Sequence, residues 1–388
     1  MRILRNDQLD DSQARWPQHM RLALGAAARV LTAAPNPRVG CVLVTGDAGE
    51  RDEVIGTGWH SGAGLPHAEP EALADAAGRA QGATAFVTLE PCCHTGRTGP
   101  CSEALISAGV RRVVIALRDS NPRVDGGGIA ALEAAGIDVV LLEDFSADAR
   151  RLNRGFCKRQ ETGRPFVRCK LAMSLDGRTG LANGESKWIT SDAARADVQR
   201  LRAESDAIIT GIETVLADDP ALTLRPESLP LSPQERKDNA RVLEAQPLRV
   251  ILDSRNRLRP DAAVVTGPGR CVAFAVARGS LESAAVETRV CGTGERVSLP
   301  SVLDSLALQD ECNEVLVEAG ATLSSAFIEA GLVDELIVYI APKLLGSDAR
   351  PLLALAGLTR MSEAVDFEIA SMAQIGPDIR VVLHPRVR

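Results

Sequence analysis

The chain has no uninterrupted apolar run of membrane length, which excludes a membrane-spanning helix as its organising feature. Its opening residues, MRILRNDQLDDSQARWPQHM, mix charges too freely for a signal peptide, so a cytoplasmic protein is expected. Basic excess is missing too: 44 Lys and Arg against 51 Asp and Glu give a formal net charge of −7. That balance argues against broad nucleic-acid binding, although a few local cations suffice to hold one phosphate. There is no internal repeat, no low-complexity tract and no disulfide rhythm. The nine cysteines are irregularly spaced, and mostly buried thiols in a reducing cytosol account for Cys41, Cys157, Cys169, Cys271, Cys291 and Cys312. A G-x-G-x-x-G fingerprint is also absent, so no Rossmann dinucleotide turn is present. What remains is ordinary globular composition, 45% hydrophobic and 24% charged, over 388 residues, enough for two domains.

The pattern along the chain alternates. Residues 20–33 predict an amphipathic helix ending at the Pro35-Asn36-Pro37 turn. GCVLVTG and EVIGTGWH predict a strand pair, HAEPEALADAAGRA a helix, and TAFVTLE a buried strand. CSEALISAG then reads as helix, RRVVIAL as strand, IAALEAAG as helix and IDVVLL as strand, which completes an α/β unit. A charged helical stretch at 146–162 ends at Thr162-Gly163-Arg164-Pro165. A second alternating pattern starts at FVRCKLAMSLDGRTG and runs to DELIVYIAP, with a poorly periodic surface excursion at 226–247.

Three residues in the first half stand out together. His67 opens a helix, Cys92 ends a strand and Cys101 lies in a first helical turn. One imidazole and two thiols supply three ligands to a tetrahedral Zn²⁺ and leave the fourth position for water. Glu69, two residues after His67, is placed to take a proton from that water and pass it to a leaving amine. Each element alone is better explained by a capped helix or a buried thiol. In this order they match a zinc-dependent nucleobase deaminase, except that eight residues, not two, separate the cysteines.

PNPRVGCV at 35–42, HAE at 67–69 and LEPCCHTGRTGPC at 89–101 closely resemble the pyrimidine deaminase half of bacterial bifunctional riboflavin-biosynthesis enzymes. The segments KLAMSLDGRTG, SKWIT, VLADDPALTLR, VEAGATL and VDELIVYIAPKLLG resemble the reductase half, in the expected order. The resemblance covers about residues 18–385. It implies a cytidine-deaminase-like three-layer α/β/α domain over 1–162, with residues 1–17 as an N-terminal extension. A dihydrofolate-reductase-like α/β domain over 163–388 would follow. Asn36 and Arg97 would then contact substrate, Arg97 near its phosphate. His94 would be a substrate-side or loop-ordering residue and Cys93 a non-ligand, while Gly99 replaces a Pro usual in the family.

In the second half, Val317 to Leu323 places glycine and small residues between strand and helix, a good approach for an anion or cofactor. The resemblance supplies the rest. Ala172, Trp188, Thr214, Asp218 and Ser254 would line an NADPH site, with Gly320, Ala321, Thr322, Leu323, Ser324, Ser325 and Ala326 over its phosphates. Ser186, Arg202, Leu222, Arg225 and Glu318 would hold a ribosyl phosphate, since guanidinium forks match phosphate oxygens. Lys170 is a candidate polar group at the reacting carbon, or else a snorkelling surface lysine.

The implied enzyme removes an amine from a diaminopyrimidinone ribosyl phosphate, then reduces the ribosyl to a ribityl chain with NADPH. The resemblance also favours a homo-oligomer. Competing readings are a deaminase of free nucleosides or tRNA with an unrelated reductase attached, and a nucleotide-binding protein without catalysis. Acidic charge weighs against tRNA, the long cysteine spacing against both deaminase alternatives, and the intact Glu69 against loss of catalysis in the first half.

Overall fold

The structure, a computed structural model, describes residues 1–45, 52–94, 99–279, 286–292 and 294–386. It divides into two compact units. One comprises Met1–Gly163 with Ser232–Ala240, and the other Arg164–Leu231 with Arg241–Arg388.

The first unit is built on strands β1 (Arg2–Leu4), β2 (Gly40–Thr45), β3 (Glu53–Trp59), β4 (Thr84–Val87), β5 (Arg112–Ile115) and β6 (Asp138–Leu142), in the sheet order β1-β6-β5-β4-β2-β3. Strands β1, β6, β5 and β4 run parallel, and β2 runs antiparallel to both β4 and β3. β4 is buried along its whole length, which is why TAFV carries no polar alternation. On one face, Trp16, Met20, Ala23 and Leu24 pack with Phe145 and Ala149 against Val42, Phe86 and Val140. On the other, Ala68, Ala72, Leu105, Ile129 and Leu132 pack against Leu43, Ala85 and Val113. The result is the expected three layers. The N-terminal extension adds an edge strand, and Arg2 bonds Asp138 across it.

The second unit holds β7 (Phe166–Ser174), β8 (Arg178–Gly180), β9 (Ala207–Gly211), β10 (Leu248–Leu252), β11 (Cys271–Ala275), β12 (Glu287–Val290), β13 (Glu314–Val317), β14 (Glu335–Ala341), β15 (Arg350–Pro351), β16 (Phe367–Ile375) and β17 (Asp378–Pro385). Its main sheet has the order β12-β11-β10-β9-β13-β7-β14-β17-β16, while β8 and β15 pair separately. The first seven are parallel and the final hairpin antiparallel. One face buries Val167, Ile209, Phe274, Leu306 and Phe327. The opposite face buries Ile208, Val215, Ile251 and Val264, with Val198, Leu201 and Tyr339 further along.

Three expectations need correction. The predicted helix at 20–33 spans Trp16–Ala27. Pro17 starts it well because its missing N–H falls where no intrahelical partner exists. The stretch 146–162 is two helices, Ser146–Leu152 and Arg154–Thr162, separated at Asn153, whose amide bonds Arg38. The excursion at 226–247 carries the helices Pro233–Asp238 and Ala240–Glu244, and its Asn239 is buried.

Candidate active sites

In the first unit two backbone approaches set the site. Gly58 on β3 lies so close beneath the helix Ala68–Asp75 that a Cβ there would sit 2.3 Å from the carbonyl oxygen of Ala68. That contact fixes the start of the helix, with His67 as its N-cap and Glu69 in its first turn. Gly128 plays the same part for the cysteine turn, since a Cβ would fall 1.8 Å from the carbonyl oxygen of Pro91.

The donors converge. His67 Nδ1 lies 3.2 Å from Cys101 Sγ and 3.6 Å from Cys92 Sγ, and the three donor atoms all fall within 4.8 Å of one another. A tetrahedral Zn²⁺ with Zn–S near 2.3 Å and Zn–N near 2.0 Å requires N···S separations of roughly 3.5 Å. The residues therefore fit zinc by spacing and by donor type. Cys101 N–H donates to Cys92 Sγ at 3.4 Å. Hydrogen bonds from the Cys101 thiol, and then from His67, hold the Cys92 thiol down at about 4 against the opposing effect of burial. A thiolate is the ligand form a metal needs. Glu69 is buried, and burial followed by the charge on Cys92 pushes its carboxyl up to about 7. That places a proton carrier beside the donor cluster.

Asn36 reaches this cluster through a residue the sequence motifs did not single out. Its Nδ2 lies 2.9 Å from His60 Nε2, while His60 Nδ1 lies 2.8 Å from the Pro66 carbonyl oxygen. The network makes Nδ1 the protonated nitrogen. The His60 ring stands edge-on to His67 at 4.9 Å between centroids. No sequence signal marks His60, because its partners are a turn and a carbonyl. Glu90, in LEPCC, carries no motif signal of its own, yet it receives four main-chain N–H groups. His94 is half-buried, and its Nδ1 has no hydrogen-bond partner among the described residues. Arg97 lies outside the described residues. All nine cysteines are free; Cys93 and Cys291 are half-buried, the latter against expectation.

In the second unit Glu318 follows β13, Ser254 follows β10 and Thr214 follows β9, at the carboxyl ends of parallel strands, where open α/β sheets bind ligands. Val317 pairs with Cys169, so the next residues, Glu318 and Lys170, are neighbours on adjacent strands. Arg202 Nε and a terminal nitrogen bond the two Glu318 oxygens at 2.6 and 3.0 Å, and its other terminal nitrogen bonds the Thr223 carbonyl at 2.8 Å. The fork expected to face phosphate is thus turned on Glu318. Burial would raise Glu318, but Arg202 outweighs it and holds the carboxyl low, with help from Lys170 and Arg225. Burial draws Lys170 below the usual lysine range, Glu318 opposing. Arg225 is exposed, whereas Leu222 is buried with φ of +51°.

The helix Ala321–Glu329 follows β13 directly, and its N-cap Gly320 has no side chain to occupy the first N–H groups. A Cβ on Gly320 would meet only Thr214 Oγ1, at 4.0 Å, and one on Gly211 would press on Leu323. This bare helix start, flanked by Thr214, suits the phosphates of a dinucleotide. Thr322 is exposed and Ala321, Leu323 and Ala326 half-buried. Ser324 and Ser325 are instead buried, the first bonding the Ala319 carbonyl and the second accepting from Ala354 N. Ser254 Oγ accepts from Val297 N at 3.1 Å. Trp188 is 63% exposed beneath the Arg195 guanidinium. Asp218 is exposed, Ala172 half-buried, and Ser186 lies against Gly180.

Comparison with known proteins agrees with both halves. Residues 15–117 match the cytidine and deoxycytidylate deaminase zinc-binding region, and residues 165–381 match the RibD C-terminal domain. The chain is 48% identical over 368 residues to the riboflavin biosynthesis protein RibD of Escherichia coli, covering 93% of this chain and 97% of the relative. It is 45% identical to a solved structure of RibD from Acinetobacter baumannii, with a TM-score of 0.86 and coverage of 95% and 98%. A diaminohydroxyphosphoribosylaminopyrimidine deaminase/5-amino-6-(5-phosphoribosylamino)uracil reductase of Thermotoga maritima superimposes with a TM-score of 0.82 at 29% identity, covering 96% and 99%. A zinc donor set beside a buried carboxylate, followed by a parallel-sheet reductase with matching relatives across nearly the whole length, places this chain in the RibD family of bifunctional riboflavin-biosynthesis enzymes.

Proposed function

We propose that His67, Cys92 and Cys101 hold Zn²⁺ and that Glu69 carries the protons of the deamination. The observation that carries this reading is the convergence of the three donor atoms within 4.8 Å beside a buried carboxylate. Bound there, Zn²⁺ supplies the Lewis acidity that makes water nucleophilic near neutral pH. Glu69 accepts the water proton and delivers it to the pyrimidine ring nitrogen. It then takes the proton of the hydroxyl newly bonded to the ring carbon and passes it to the amine, whose C–N bond breaks as the carbonyl forms and ammonia leaves. Asn36, fixed by His60, holds the pyrimidine, with His94 on the substrate side and Arg97 toward the phosphate. The substrate is 2,5-diamino-6-ribosylamino-4(3H)-pyrimidinone 5′-phosphate.

Bound in the second half, NADPH would supply a hydride. Gly320 to Leu323 and Ala326, with Ala172, Trp188, Thr214, Asp218 and Ser254, form its binding surface, while the buried Ser324 and Ser325 brace the helix from behind. Arg225, Ser186 and Leu222 hold the ribosyl phosphate, and the Arg202–Glu318 pair orders the sugar end. Lys170 presents its ammonium beside the ring-opened ribosyl carbon, where hydride would add to the carbon of the C=N bond and a proton to its nitrogen, giving the ribityl chain. The functional division lies at residues 162/163. The enzyme acts on a small molecule, with neither nucleic acid nor membrane as partner, in the cytoplasm. It works as a homo-oligomer, a reading supported by Ile369 and Met372 on edge strand β16, 68% and 69% exposed. A staged assay tests the scheme: ammonia release without NADPH, then NADPH oxidation after its addition. Absence of ammonia from zinc-loaded protein would overturn it.

A further inference from the structure

Residues Ser232–Ala240 fold with the first unit although the chain on both sides of them belongs to the second. Their helix, Pro233–Asp238, starts with reciprocal bonds between Ser232 and Glu235. Six residues do not sustain a helix alone, so its contacts must hold it. Asn239 is 2% exposed. Its Oδ1 accepts from Leu31 N at 2.7 Å, and its Nδ2 donates to the carbonyls of Arg29 and Glu235, both at 2.9 Å. The Asp238 carboxylate, 7% exposed, accepts from Arg29 Nε at 2.9 Å, while the Arg29 guanidinium lies 3.9 Å from the Trp59 ring.

These bonds fall where the helix Trp16–Ala27 has ended and the main chain must find partners elsewhere. The same stretch leads into the Asn36 turn. Arg38 reaches back to the carbonyls of Val30 and Leu31 at 3.4 and 3.3 Å, and its own N–H donates to Asn153. Arg159 donates to the Pro35 carbonyl at 3.1 Å. Residues 29–38 are thus gripped by their own unit's Arg38, Asn153 and Arg159 and by the inserted segment.

We propose that residues 232–240 are a positioning arm, contributed from within the reductase half of the sequence, that holds the Asn36 turn of the deaminase in its substrate-binding form. The inference rests on the reading of Asn36 as a substrate contact. Asn239 touches neither substrate nor metal donors; it acts through the 29–36 backbone.

The test uses the full chain with Asn239→Ala. The KM for ammonia release is expected to rise about tenfold, which is the effect of losing roughly 1.4 kcal/mol from a buried hydrogen-bond pair. The kcat, the zinc per chain and NADPH oxidation on deaminated substrate are expected to stay within about twofold, the scale of a few tenths of a kcal/mol. Asp238→Asn, a milder change, is expected to raise KM by a smaller factor. Amide exchange is expected to accelerate over residues 32–38 in Asn239→Ala. Unchanged KM in both variants, or a parallel loss of kcat and zinc, would overturn the arm, as would unchanged exchange at 32–38. Failure of the unaltered enzyme to release ammonia would overturn the deaminase reading instead, and exchange would then decide the arm.

Discussion

The Glu90 carboxylate is bound to the main chain of Gly128: its Oε1 accepts from Gly128 N at 3.1 Å and from Ile129 N at 3.2 Å. Its Oε2 takes the N–H groups of Asp119 and Gly126, both at 3.3 Å. The start of the helix Gly127–Ala134 is therefore tied to the residue two before Cys92. Glu90→Gln would aim an NH₂ group at N–H donors, an unsatisfied arrangement costing about 1–3 kcal/mol. Gly128→Ala would push on the Pro91 carbonyl directly. Both variants are expected to lower the melting temperature and the zinc content, the glycine change more severely. Wild-type zinc content in Gly128→Ala would show that the cysteine turn does not depend on this contact.

Glu69→Gln keeps the size of the side chain and removes its ability to carry a proton. General acid–base catalysis contributes about 10²–10⁴-fold, so ammonia release is expected to fall by at least the lower figure. Zinc content and NADPH oxidation on the deaminated substrate should not change. Full ammonia release in this variant would remove Glu69 from the mechanism.

Much of this was legible because zinc chemistry restricts residue type and order. His67, Glu69, Cys92 and Cys101 could be named from spacing, and the structure brings their side chains together. Strand and helix order followed from periodicity. What was not legible depends on partners distant in sequence. Residues 28–33 continue the apolar pattern of a helix, yet Leu31 N bonds Asn239, 208 positions away. His60 has no motif, since only the fold sets it between Asn36 and His67. The hairpin β16–β17 went unread because β16 is an edge strand, largely exposed and without strict alternation. Arg202 was legible as a phosphate-type residue, but its bidentate grip on Glu318 was not.

That grip predicts a pH dependence. Arg202 holds Glu318 below the ordinary carboxylate range despite burial. The stabilisation is fully present above the unfolded value of about 4.3 and is lost as pH falls through the lower folded value. Stability of the reductase unit, read by amide exchange in β7 and β13, should therefore decline below about pH 4. Glu318→Gln should weaken that decline and, by leaving Arg202 buried without its carboxylate, destabilise the unit by roughly 3–5 kcal/mol. An unaltered acid profile in the variant would rule out this pair as its source.

Removal of zinc gives a test at single-residue level. Cys101 is fully buried, whereas Cys92, Cys93 and Cys291 are half-buried. Cys92 Sγ sits beside His67 Nδ1 and the Cys101 N–H, so a metal held by these donors covers it. Cys93 instead brings its thiol to the Arg123 carbonyl and is not among the converging donors. Brief treatment with an alkylating reagent, followed by peptide mass spectrometry, is expected to modify Cys93 whether or not zinc is present. Cys92 should be modified only after chelation, and zinc added back before the reagent should protect it. Ammonia release should disappear and return in step with that protection, while NADPH oxidation on deaminated substrate continues throughout. Protection of Cys93 rather than Cys92 would exchange the two cysteines in the donor set, and equal labelling of Cys92 with and without zinc would exclude it as a ligand.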